Sequence, residues 1–91
     1  MMWNKTSAFA PVGLLMRESG AHVVVSTLRG AAVVLLNDWP DEDGEEYVIA
    51  VQACVDAIMG TATMEDFRRA FLRAAQEARI ATFSVVEGDA A

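Results

Sequence analysis

Trp39-Pro40-Asp41-Glu42-Asp43-Gly44-Glu45-Glu46 divides this chain in two. Before it the sequence is apolar and partly β-branched; after it apolar residues recur at helical spacing. Pro40 has no amide hydrogen, and its ring drives Trp39 out of the helical region, so the preceding element must stop there. Five of the six residues from Asp41 to Glu46 are carboxylates, and such a loop has to be solvated. Asp43-x-x-Glu46 has the form of a capping box: Asp43 accepts from a first-turn amide, Glu46 reaches back, and both charges suit the positive end of a helix. The same run raises the question of calcium. In an EF-hand loop the glycine is sixth; with Gly44 there, Trp39 falls at the first ligand position and Ala50 at the twelfth, where a bidentate Glu is needed. The register fails. Capping and solvation explain the run better than a weak divalent site.

Outward from this divide, the bulk properties narrow the field. A chain of 91 residues makes one domain. Its expected organisation is a loose terminus over 1–7, a core over 8–80 and a tail over 87–91. Such a chain buries roughly 60–65% of its unfolded surface. At 54% hydrophobic it has ample material for a core. It has little interior in which to hide the excess, so self-association is expected, a dimer first. The net charge of −6 argues against nucleic-acid backbone, which needs clustered Lys and Arg. A single cysteine excludes an intrachain disulfide and a Cys-based zinc site. Lys5 and the short apolar piece broken by Pro11 do not make a signal peptide. The longest uncharged apolar run, Gly30 to Leu36, is far below the ~20 residues that cross a bilayer. The expectation is a cytoplasmic protein with no membrane partner.

Along the chain, Phe9 to Met16 reads as an edge strand, since Pro11 cannot donate to a ladder. Arg17-Glu18-Ser19-Gly20 is a turn with Gly20 free to take positive φ. Val23-Val24-Val25 marks a second strand and closes a hairpin. Thr27 to Trp39, with Ala31-Ala32-Val33-Val34-Leu35-Leu36, is a buried helix or a buried strand. Its length, and Ser26 or Thr27 as N-cap, favour helix, against the ~1 kcal/mol that Gly30 costs there. In Gly44–Met59, Tyr47, Ala50, Val51, Cys54, Val55 and Ile58 fall on one helical face, and Gly60 ends it. Thr63-x-x-Asp66 is a second capping box and opens the strongest helix, running to about Ile80. Phe67, Phe71, Ala74, Ala75 and Ala78 share one of its faces. The small alanines admit a close neighbour. Thr82 to Val86 adds a third strand or frays. The fold expected is α+β: an N-terminal β-hairpin, with or without a C-terminal third strand, packed against three helices in the order β-β-α-α-α.

The sequence of Val12, Ala31-Ala32, Leu35-Leu36, Trp39-Pro40, Gly44, Ala50, Cys54, Ala57, Gly60 and Phe67-Arg68-Arg69-Ala70-Phe71-Leu72-Arg73-Ala74-Ala75-Gln76-Glu77-Ala78 resembles the domain-of-unknown-function 982 family, small proteins found mostly in alphaproteobacteria. The likeness runs from about Pro11 to Ile80. It implies an α+β fold and a helix after Thr27. It implies no activity, no cofactor and no catalytic residue. One departure is Phe67, where the family usually has Ala; the ring implies different packing or an altered surface.

Candidate chemistry is sparse. His22 is the sole histidine and has no evident partner, so a structural or surface role outweighs a catalytic one. Cys54 lies on the apolar face of its helix, where cysteines behave as small hydrophobes rather than thiolates. Neither a phosphate loop nor metal-ligand spacing is present. Arg68, Arg69 and Arg73 are the candidate interaction or anion-binding surface, against the plainer reading that they pair with Glu65, Asp66 and Glu77 on their own helix. Trp39 is a contact residue or a core plug. The leading expectation is a non-enzymatic interaction module that self-associates, with an unidentified protein partner also open. The alternative is a regulatory domain that grips a small anion with the arginines of the last helix.

Overall fold

A computed structural model describes residues 8–16, 20–40 and 43–84. The N-terminal segment with Trp3, residues 17–19 of the expected turn, Asp41 and Glu42 of the acidic run, and residues 85–91 lie outside the described residues. In chain order the elements are β1 (Ala8–Leu15), β2 (His22–Thr27), α1 (Leu28–Val33) running on into a π-helical turn (Val34–Asp38), α2 (Glu45–Ile58), α3 (Met64–Glu77) and β3 (Ala81–Ser84). The class is α+β and the order β-β-α-α-α, with the third strand formed.

The sheet is antiparallel with strand order β2-β1-β3. β1 is therefore central, not the edge strand that Pro11 suggested. β3 pairs only with Val12–Leu15, and the register against β2 shifts between Ala8 and Val12. Pro11 sits in that irregularity, where a residue without an N–H does little harm to the ladder. Alternation then sorts the strands. Val12, Leu14 and Val25 are buried on the face toward the helices. Gly13, Val24 and Phe83 are cross-strand neighbours on the other face. A side chain at Gly13 would overlap the Phe83 ring, which lies across the strand at that point.

The ambiguous segment after β2 is helical. Thr27 is its N-cap, with Oγ1 accepting from the Gly30 amide at 3.0 Å. Trp39 ends it in extended conformation, φ −73° and ψ 133°, as a residue before proline must. The Tyr47 hydroxyl donates to the Leu35 carbonyl of the π turn at 2.9 Å. At α3 both halves of the Thr63/Asp66 capping box are made.

The N-cap of α2 falls one residue after the expected Asp43, and its first-turn amides are met from another helix. The N-cap of α2 is Gly44, with no side-chain cap hydrogen bond from it. The Glu77 carboxylate, from the last turn of α3, accepts instead from the amides of Glu46 (3.1 Å) and Tyr47 (3.2 Å). A carboxylate is misplaced at the negative end of its own helix and well placed at the positive end of an antiparallel neighbour. A Cβ at Gly44 would overlap this carboxylate, so the glycine makes room for it.

Both long helices close in the same backbone pattern. After α2 the Thr61 amide bonds the Asp56 carbonyl and the Gly60 amide that of Ala57; after α3 Ile80 bonds Ala75 and Arg79 bonds Gln76. The left-handed residue is Gly60 (φ 86°) in the first and Arg79 (φ 61°) in the second.

The main contacts of the sheet are with α1 and α3, while α2 packs on α3 and α1. A column of rings threads the core. Phe9 meets Phe67 at 5.6 Å, Phe67 meets Phe71 at 5.5 Å, Phe71 meets Trp39 at 5.7 Å and Trp39 meets Tyr47 at 6.2 Å. Phe67, the residue that departs from the resembled pattern, is fully buried within this column.

Candidate interaction surface

α2 carries more apolar residues than its neighbours cover. Tyr47, Ala50, Cys54 and Ala57 are buried. Val48, Val51, Val55 and Ile58 follow at alternating steps of three and four, a stripe beside the buried one. Val51 is half-buried, but Val48, Val55 and Ile58 are 57%, 45% and 48% exposed. Leu36 of the π turn (63% exposed) and Met59 (72%) add to the same region. Between the π turn and α2 lies an apolar groove of about 140 Å³, lined by Ala32, Leu35, Leu36, Val51, Cys54, Val55 and Ile58. Val55 and Ile58 belong to the same apolar face as Tyr47, Ala50 and Cys54, yet unlike them they stay open. They are the margin of an arc wider than α3 and α1 can cover, and that width was the available signal.

A second depression, about 410 Å³, lies between the start of β1 and the first turn of α3, lined by Phe9, Ala10, Thr63, Met64, Glu65 and Arg68. It brings one cation beside one carboxylate, and the Thr63 hydroxyl on its wall is engaged in the α3 cap, accepting from the Asp66 amide at 3.0 Å.

The family model described as "Protein of unknown function (DUF982)" matches residues 10–82. The chain belongs to the DUF982 family. No curated protein and no solved structure matches it. In this DUF982 protein the residues singled out from sequence lie apart. Trp39 is 7% exposed and packs on Tyr47 and Phe71, so it is part of the core and not of a contact surface. Arg68 Nε donates to the Ala10 carbonyl at 3.0 Å, tying α3 to the bulged part of β1. Arg69 lies 3.8 Å from Asp66 with both side chains well exposed, a pair of little energetic weight. The expected Arg73–Glu77 pair is not formed among the described residues, because Glu77 is turned to α2. Arg68 and Arg69 thus hold different partners, and Arg73 is exposed.

Cys54 is buried beneath the groove, and burial pushes its thiol above the usual range, away from thiolate chemistry. His22 is exposed on the outer face of the sheet and meets the Phe83 ring edge-on at 5.9 Å. Among the described residues no group of three or more His, Cys, Asp or Glu could hold a metal ion. No helix among them is long and apolar enough to cross a membrane.

Proposed function

We propose that this DUF982 protein is a non-enzymatic interaction module that associates with copies of itself through the apolar face of α2 and the π turn. The observation that carries this reading is the uncovered stripe of Val48, Val55, Ile58, Met59 and Leu36, each between 45% and 72% exposed. Monomers seldom leave contiguous apolar patches of more than a few hundred Å² open to water. The alternating spacing on α2 is that of a helix–helix seam, and a second α2 laid along it would close the groove. The anion-binding reading draws less support, because the Arg68 guanidinium is held to the Ala10 carbonyl of β1.

Sedimentation equilibrium at micromolar concentration checks the proposal. The wild-type mass exceeds that of the 9.8 kDa monomer. A Val55→Glu/Ile58→Glu variant, with unchanged helical circular dichroism, has a lower mass at the same concentration. A wild type that stays monomeric at every practical concentration overturns it.

A further inference from the structure

We propose that the open edge of β2 is a second association site, which takes β2 of another copy in antiparallel pairing about a twofold axis at Val24. This rests on the self-association reading only in its premise that copies of the chain meet; it does not depend on the helical face.

β2 has β1 on one side and, among the described residues, nothing on the other. In a strand, alternate N–H and C=O groups point to opposite edges. From His22 to Ser26 no backbone bond beyond the ladder with β1 is made, so the outward groups have no protein partner among the described residues. Natural edges are normally guarded by lysine, proline, an edge bulge or extreme shortness. His22-Val23-Val24-Val25-Ser26-Thr27 has none of these: no formal charge, no proline, and six residues of strand. β3, the opposite edge, has four.

Charge favours a second copy here. A chain of net charge −6 repels itself over most of its surface, but two copies of β2 meet without bringing like charges together. Parity restricts the register to twofold axes that pass through a residue. Residues directly opposite in an antiparallel pair share a face of the sheet. Val24 is on the outer face, 56% exposed, and Val25 on the inner, 2% exposed, so Val24 cannot oppose Val25 of the second copy. Centring on Val24 pairs His22 with Ser26, Val23 with Val25 and Val24 with itself. Centring on Val25 would draw in Thr27, the N-cap of α1. The Val24 register joins two sheets of order β2-β1-β3 into one six-stranded sheet. The exposed valines meet at its middle, flanked on each side by Phe83 lying over Gly13.

Hydrogen exchange followed residue by residue on the full chain, beside its sedimentation mass, tests this. In wild type at concentrations where the mass exceeds the monomer's, the outward amides of residues 22–26 are protected at least tenfold over their rate at dilution. Val24→Lys abolishes that added protection while the amides facing β1 stay slow, which also shows that the sheet is intact. Assembled wild type whose outward β2 amides exchange as fast as at dilution overturns the proposal, as does Val24→Lys with wild-type mass and protection. If Val55→Glu/Ile58→Glu keeps both the β2 protection and the wild-type mass, the edge stands and the helical face falls; if it keeps the protection at a lower mass that still exceeds the monomer's, both stand. If that variant is monomeric with unprotected β2 amides, the edge falls and the helical face remains.

Discussion

Glu77 shows how one residue serves an element other than its own. Its place in the last turn of α3 looks unfavourable, and the sequence offers Arg73 as a partner four residues earlier. In the fold its carboxylate closes the start of α2, a role that depends on Gly44 having no side chain. Gly44 has φ −70°, which alanine adopts freely, so the cost of Gly44→Ala beyond alanine's weaker N-cap preference arises from displacing Glu77. Glu77→Ala is expected to cost about 1 kcal/mol, as loss of an N-cap does. Gly44→Ala costs a similar amount alone and clearly less in the Glu77→Ala background, because the displaced group is already gone. Urea unfolding of the four chains measures this. Strictly additive losses would mean that the carboxylate does not cap α2. The Thr63/Asp66 box was legible because both partners lie within four residues; the Glu77 cap was not, because its partners are some thirty residues away.

At the scale of elements, the hairpin and the two long helices were legible from β-branched runs and helical spacing, while the run after Thr27 fitted helix or strand until its end at Trp39-Pro40. The rank of β1 in the sheet was not. Pro11 argued for an edge, and locally the argument holds, since β3 reaches only as far as Val12. What makes β1 central is the return of the chain after α3, a long-range event. Gly13 and Phe83 join the two strands: the ring fills the space over the glycine, as an aromatic does beside a strand glycine. Gly13→Ala therefore forces Phe83 aside and is expected to cost about 1–3 kcal/mol, the range for overpacking. In a Phe83→Ala background the same substitution costs under half as much. Thermal or urea unfolding of the double-mutant cycle checks it. Equal costs in both backgrounds would show that the ring does not rest on Gly13.

For the whole molecule the decisive quantity is the balance between apolar content and interior. With 54% hydrophobic residues in a domain this small, some apolar surface had to stay outside. The fold places it on the outer stripe of α2, since the sheet's main contacts are with α1 and α3. Association through such a surface is opposed by the net charge of −6 and not driven by it. The sedimentation mass at fixed protein concentration should therefore rise between about 0.05 and 0.5 M sodium chloride, as screening shortens the reach of the repulsion. A fall in mass with salt would point to an interface held by ion pairs.

The class of the fold, the break at Trp39-Pro40, the α3 capping box and membership in DUF982 can be read from the chain alone, because each rests on local periodicity, short-range hydrogen bonding or residue pattern. Packing established that residues 28–38 are helical and β3 is paired, that Trp39 is interior, that Glu77 caps α2, that Arg68 reaches β1, and which half of the apolar arc on α2 remains open. Those outcomes depend on which elements lie side by side. A helix's own sequence says how much apolar surface it has, but the neighbours it packs against determine how much of that surface is covered.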